Sequence, residues 1–229
     1  MKIVKLIVSN YRGIKDSTEI TFNDFICIVG KNDVGKSTIL KAIDAFLNDT
    51  AISILDRNYE SVSNLISMDI VFDNADVEIE LDDTIKTTFK DEELTDTNGC
   101  LRIRKIWDLS QAKVKPKWYI YRKKYQNDFL LLTERDLISL CKEKGVETHK
   151  ANGEAYNNKE KRNKLRLLYA DQGVEFEYLQ EELPTTGTTR AKRIYDALKK
   201  VLPTFEYFKA DSSLSDSDAS VQKYFKDKA

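Results

Sequence analysis

The pattern of apolar and polar positions changes period several times along the chain, and each change predicts an element. From Ile3 to Val8 the residues alternate, with one apolar face and a partly apolar second face, which predicts a well-buried strand. Ser9 to Gly13 reads as a turn, and Glu19 to Phe22 as a second short strand. Asp24 to Val29 is a nearly continuous apolar run closed by Gly30, the pattern of a strand buried on both faces. From Lys36 to Leu47 the apolar residues Ile39, Leu40, Ile43, Ala45, Phe46 and Leu47 take helical spacing. The period returns to two at Met68, Ile70, Phe72 and again at Val77, Ile79, Leu81, and Asp73 to Asp76 between them predicts a hairpin. Leu101 to Trp107 with Trp118 to Tyr121 predicts another.

Beyond these the chain turns rich in Lys, Glu, Asn and Leu, with helices expected around Glu134 to Lys144, Asn158 to Tyr169 and Arg190 to Val201. Residues 130–202 therefore read as a helical insertion in a lobe spanning 1–211. Surface turns are expected at Ala151 to Asn158 and at Pro184 to Thr189, the second ending in a helix N-cap. Residues 212–229 form a polar tail, and no internal repeat is visible.

With 229 residues, 41% of them hydrophobic, the chain can build one domain or two small ones. The 37 basic and 38 acidic residues give a formal charge of −1, so net charge names no nucleic-acid partner. No apolar run is long enough to span a membrane, and Met1 to Tyr11 alternates where a secretory signal would be continuously apolar; a soluble cytoplasmic protein is expected. Three dispersed cysteines and a single histidine, His149 in a polar loop, speak against a disulfide framework or a zinc site.

The chemistry concentrates in Gly30-Lys31-Asn32-Asp33-Val34-Gly35-Lys36-Ser37, which matches G-x-x-x-x-G-K-[ST] at every specified position. It follows a predicted strand and opens a predicted helix, where backbone N–H groups and a helix N-terminus converge on a di- or triphosphate. Gly30 and Gly35 allow the backbone to wrap the phosphates. Lys36 would neutralise the β- and γ-phosphates of ATP, Ser37 would take one position on Mg²⁺, and Thr38 would help on the α-phosphate side. The alternative is a glycine-rich strand-to-helix turn with an incidental Lys-Ser pair.

Val8-Ser9-Asn10-Tyr11-Arg12-Gly13-Ile14, followed by a short strand and then Phe25 to Leu40, resembles the N-terminus of the RecF/SMC-like ABC-class ATPases. Within them it is most similar to the "overcoming lysogenization defect" (OLD) type, which includes GajA-like phage-defence nucleases. The resemblance implies an α/β fold: a P-loop NTPase of ABC/RecF-like type, with a mixed sheet carrying antiparallel hairpins. It makes Arg12 a nucleotide contact, against the alternative of a surface arginine in a turn, and gives Asn32 the role of orienting water or the γ-phosphate. Pro203 to Ser213 is similar to the segment by which such proteins leave the first ATPase lobe, which makes Asp211 a candidate for sensing Mg²⁺ and the γ-phosphate. In the intact architecture two heads sandwich two ATP molecules, commonly as a homodimer, and ATP state controls action on DNA.

Such an ATPase also needs a signature loop, an acidic Walker B strand and a switch histidine, and none of these is found. Ile70-Val71-Phe72-Asp73-Asn74 lacks the second acid, so Asp73 reads as the end of a strand. A C-terminal lobe is thus expected as a missing partner, with ATP bound but hydrolysed weakly or not at all by this chain alone. A non-catalytic interaction module is the rival reading; a P-loop kinase or GTPase is weaker, since no NKxD motif follows. The acids from Asp73 to Asp83 are expected on an exposed hairpin face. The basic run Lys113, Lys115, Lys117, Arg122, Lys123, Lys124, interleaved with Trp118, Tyr119 and Tyr121, is either a phosphate-tracking face or a solvated strand with its aromatics in the core. Arg190 to Lys200 offers a second basic face with the same alternatives.

Overall fold

The structure is a computed structural model that describes residues 1–24, 26–28, 35–82 and 85–206. Gly30, Asn32, Asp211 and the 212–229 tail, each assigned a part above, lie outside the described residues. Within them the element order is β1 (Ile3–Ser9), β2 (Thr18–Thr21), α1 (Lys36–Leu47), β3 (Leu65–Phe72), β4 (Glu78–Asp82), β5 (Ile85–Thr88), β6 (Leu101–Asp108), β7 (Pro116–Tyr125), α2 (Glu134–Glu143), α3 (Asn158–Asp171), β8 (Phe176–Leu183) and α4 (Arg190–Val201).

Among the described residues six strands form one sheet in the order β2-β1-β3-β6-β7-β8, and β4 pairs with β5 in a separate ribbon. Every pairing among them is antiparallel, where a mixed sheet was expected. The hairpin expected from Leu101 to Trp107 with Trp118 to Tyr121 forms between β6 and β7, with Ile103 opposite Ile120.

The other predicted hairpin does not form. β3 lies between β1 and β6, with Leu6 opposite Ile70 and Ile70 opposite Ile103, while β4 turns away to β5. The burial of β3 explains the difference: Ile66 and Met68 to Phe72 are all buried, as suits an inner strand, whereas β4 keeps Glu78 and Glu80 in solvent. The apolar run before the phosphate loop also departs from expectation. Ile26, Cys27 and Ile28 lie in no strand, and Ile26 is 41% exposed. A strand apolar on both faces needs neighbours to bury it, and no described strand pairs with these residues.

The predicted helices are all present. α1 and α4 cover one face of the sheet, where Ile43, Phe46, Ile194 and Leu198 join Leu6, Met68, Ile103, Trp118 and Ile120 in the main core. Trp118 meets Phe46 at 6.1 Å and Tyr195 edge-on at 5.3 Å, tying both helices to β7. α2 and α3 pack on a second cluster built from Tyr125, Phe129, Leu137, Leu140, Cys141, Leu165 and Tyr169. The 130–202 stretch is thus not wholly helical: β8 extends the sheet beyond β7, and α4 belongs to the main core. No helix among the described residues is long and apolar enough to cross a membrane.

One lysine and one arginine run against simple patterning. β6 alternates strictly, and its inward set is Leu101, Ile103, Lys105 and Trp107. Lys105 is fully buried, with its ammonium 3.7 Å from the Trp118 ring and 2.5 Å from both the Phe46 carbonyl and Asp49. It therefore donates to the C-terminal turn of α1, where a cation complements the helix dipole. Arg122, buried on β7 in the alternation of Trp118 and Ile120, is paired with Asp128 and Glu181.

Candidate nucleotide-binding site

The site is built where β1 ends and α1 begins. Past Ser9 the backbone enters left-handed conformations at Asn10 (φ 58°) and Arg12 (φ 50°), uncommon for residues with a side chain. Tyr11 and Ile14 exchange backbone hydrogen bonds of 2.8 and 2.9 Å and close the turn. A glycine in a turn is expected to supply special backbone freedom, but Gly13 does not have a positive φ; Asn10 and Arg12 carry that burden instead. Asn10 compensates by donating from Nδ2 to the carbonyls of Ser63 (2.8 Å) and Leu65 (2.9 Å). Tyr11 is buried in the core, and burial raises its phenol above the ordinary value. The turn thereby holds Arg12 on a fixed base.

A short 3-10 turn at Ile54–Asp56 holds the other side of Arg12. Ser53 caps it, and Asp56 closes the capping box by accepting from the Ser53 amide at 2.9 Å. Asp56 also accepts from Arg12 Nη2 at 2.7 Å, while the Arg12 amide donates to the Asp56 carbonyl at 2.7 Å. The buried Nε of Arg12 has no hydrogen-bond partner among the described residues.

Gly35 precedes α1 with φ 88°, and a Cβ there would meet nothing within 4 Å. Its requirement is therefore conformational rather than steric. Among the described residues no side chain caps α1, and its first turn carries no acid, as suits a helix N-terminus that receives an anion. Ser37 is exposed; Thr38 is buried, with its amide donating to the Gly35 carbonyl at 3.0 Å. Arg12, Gly35, Lys36, Ser37 and Thr38 line one open cleft of about 900 Å³ together with Asp56, Arg57 and Tyr59. That volume accommodates a nucleoside triphosphate. Sequence reasoning missed the Asp56 to Tyr59 wall; the S-x-x-D spacing of Ser53 and Asp56 is its local signal.

The model of the AAA ATPase domain family matches residues 1–229. The chain belongs to that family. No curated protein matches it. An AAA ATPase domain binds nucleotide, typically with Mg²⁺, and the uncapped helix with its adjoining Lys36 and exposed Ser37 has the donor set for a phosphate chain and its cation.

Other candidates of this AAA ATPase domain fall away from the cleft. Asp73 sits beside Lys2, accepting from its amide at 2.9 Å, at the end of β1 remote from Arg12 and about 20 Å away along that strand. His149 is exposed. Among the described residues no group of three or more His, Cys, Asp or Glu is placed to hold a metal ion. The acids of β4 are not all solvated: Asp82 is buried and paired with Arg162 and Arg190. The basic run of β7 is divided between two faces, with Trp118, Ile120 and Arg122 inward and Lys123 paired to Glu93 at 3.2 Å. On α4, Lys192 pairs with Asp196 and Lys199 with Asp49. Neither run presents its cations as one free face.

Proposed function

We propose that the cleft at the N-terminus of α1 binds Mg-ATP, with Gly30, Asn32, Gly35, Lys36, Ser37 and Thr38 around the phosphates and Arg12 as a second cationic contact. The observation that carries this reading is Arg12, held in a left-handed backbone and anchored by Asp56, lining the same cleft as Lys36 and the uncapped helix. Bound Mg²⁺ would offset phosphate charge, with Ser37 as its protein ligand and Asp211 as a second candidate. Within the family, we read the chain as an OLD/RecF-like, ABC-class lobe, 1–211, that works with a second head or a C-terminal lobe. Action on DNA and a role in phage defence belong to that reading through the resemblance of Val8 to Ile14 and of the phosphate loop.

Equilibrium binding of ATP should require Mg²⁺ and should be lost in Lys36→Ala; binding unchanged in that variant would remove the phosphate-loop assignment. A non-catalytic role for the isolated chain also has support. Asp56 is the one carboxylate among the described residues lining the cleft, and both its oxygens are engaged by Arg12 and Ser53. The isolated chain is accordingly expected to bind ATP with negligible steady-state hydrolysis, and turnover abolished by Lys36→Ala would contradict this.

A further inference from the structure

The cleft at α1 is lined by two kinds of surface. Arg12, Lys36 and the first residues of α1 form a cationic, donor-rich part, whereas Leu55 and Tyr59 form an apolar one. Tyr59 is 85% exposed and Leu55 88%, and neither belongs to an apolar cluster of the fold. Ile54 and Val62 are exposed as well, so apolar exposure is concentrated in this segment rather than scattered singly. Aromatic and aliphatic surface left open on the wall of a cleft, with no packing role, is suited to contact with a ligand.

The turn that carries Tyr59 is fixed to Arg12 itself. Asn58 is buried; its Nδ2 donates to the Arg12 carbonyl at 2.6 Å, and its amide donates to Asn10 Oδ1 at 3.3 Å. On the far side of Tyr59 the Glu60 amide donates to Asn58 Oδ1 at 3.0 Å, and the Ser61 amide donates to the Asn58 carbonyl at 3.1 Å. The Tyr59 hydroxyl donates to Glu60 Oε1 at 3.0 Å, and Glu60 is paired in turn with Lys15 at 3.3 Å. Since Arg12 also donates to Asp56 from its amide and its guanidinium, one hydrogen-bonded frame carries Arg12, Leu55 and Tyr59. The ring is thereby held in place before a ligand arrives, which lowers the entropy lost on binding. Asp56, the carboxylate on this wall, is engaged by Arg12 and Ser53.

Resting on the nucleotide reading above, we infer that Tyr59, with Leu55, is the stacking wall for the base of the nucleotide whose phosphates lie at α1. A nucleotide has a polyanionic end and a flat, apolar end, and the cleft offers a surface matched to each. A ring face does not read the hydrogen-bonding edge of a base, so the contribution of Tyr59 is the same for adenine and guanine.

The test titrates the full chain with Mg-ATP, with Mg-GTP and, as a ligand that has no base, with inorganic tripolyphosphate and Mg²⁺. Tyr59→Ala should weaken ATP and GTP alike by about tenfold or more, the contribution of one stacked base, and leave the affinity for tripolyphosphate unchanged. Tyr59→Trp should restore the binding of both nucleotides. Its added fluorescence should be quenched by ATP and not by tripolyphosphate, against a background from Trp107 and Trp118, both buried. ATP affinity unchanged in Tyr59→Ala, equal losses for ATP and tripolyphosphate, or no quenching specific to the nucleotide would overturn the stacking wall and leave the phosphate loop in place. Tripolyphosphate bound equally by wild type and by Lys36→Ala would instead remove the phosphate-loop reading, and the wall with it.

Discussion

Gly35 and Gly13 look alike in sequence, each next to a residue of the cleft, yet the backbone separates them. Only Gly35 has a positive φ, and neither would bring a Cβ against a neighbour. Gly35→Ala is expected to cost about 1–2 kcal/mol, the cost of a left-handed residue with a Cβ, and Gly13→Ala close to nothing. Urea unfolding of the two variants checks this, and equal losses would count against it. Lys105 offers a second test. Burial lowers its ammonium from 10.5 to about 8, more than its bonds to Asp49 restore. Between pH 8 and 10.5 the unfolded chain keeps this proton while the folded chain has lost it, so the residue's contribution to stability rises with pH. Wild type should gain on Lys105→Met by up to about 3 kcal/mol across that window. A constant difference between the two unfolding free energies would show that the lysine is not depressed.

At the scale of elements, helices are the most legible because their amphipathic spacing is local. α1 runs from Lys36 to Leu47 as its apolar residues require, and the cap at Thr189 is where its loop places it. Strand partners are less legible, since alternation fixes a face but not a neighbour: β3 has the pattern of a hairpin strand and takes an inner position instead. β8 carries little signal because an edge strand exposed over Phe176 to Tyr178 shows little alternation. The phosphate loop announces its helix and its Lys-Ser pair, but Asp56 joins Arg12 across 44 residues, a contact with no sequence period. The anchorage of α3 is hidden for the same reason. Arg162 reaches Glu92 and Asp82, both buried, and although burial pushes Glu92 up, Arg162 and Arg166 outweigh it and hold its carboxyl below the usual range. Arg162→Met should cost about 3–5 kcal/mol, because carboxylates lose a buried partner. A loss below about 1 kcal/mol by denaturation would mean that Arg166 and Arg190 suffice.

At the scale of the molecule, the two apolar clusters divide the labour. The main core fixes α1 against β3, β6 and β7 and so sets the nucleotide cleft, whereas α2 and α3 close a smaller cluster around Leu165 and Tyr169. Truncation should therefore act locally or globally according to cluster. Leu165→Ala should cost about 2–5 kcal/mol and speed amide exchange in α2 and α3, while ATP affinity stays within about twofold of wild type. Phe46→Ala removes the contact with Trp118 and the ring beside the Lys105 ammonium, so exchange should quicken in α1 and nucleotide binding should weaken with it. If Leu165→Ala weakened ATP binding as much as Phe46→Ala did, the clusters would form one cooperative unit, and the cleft would depend on α2 and α3 as strongly as on the sheet that carries α1.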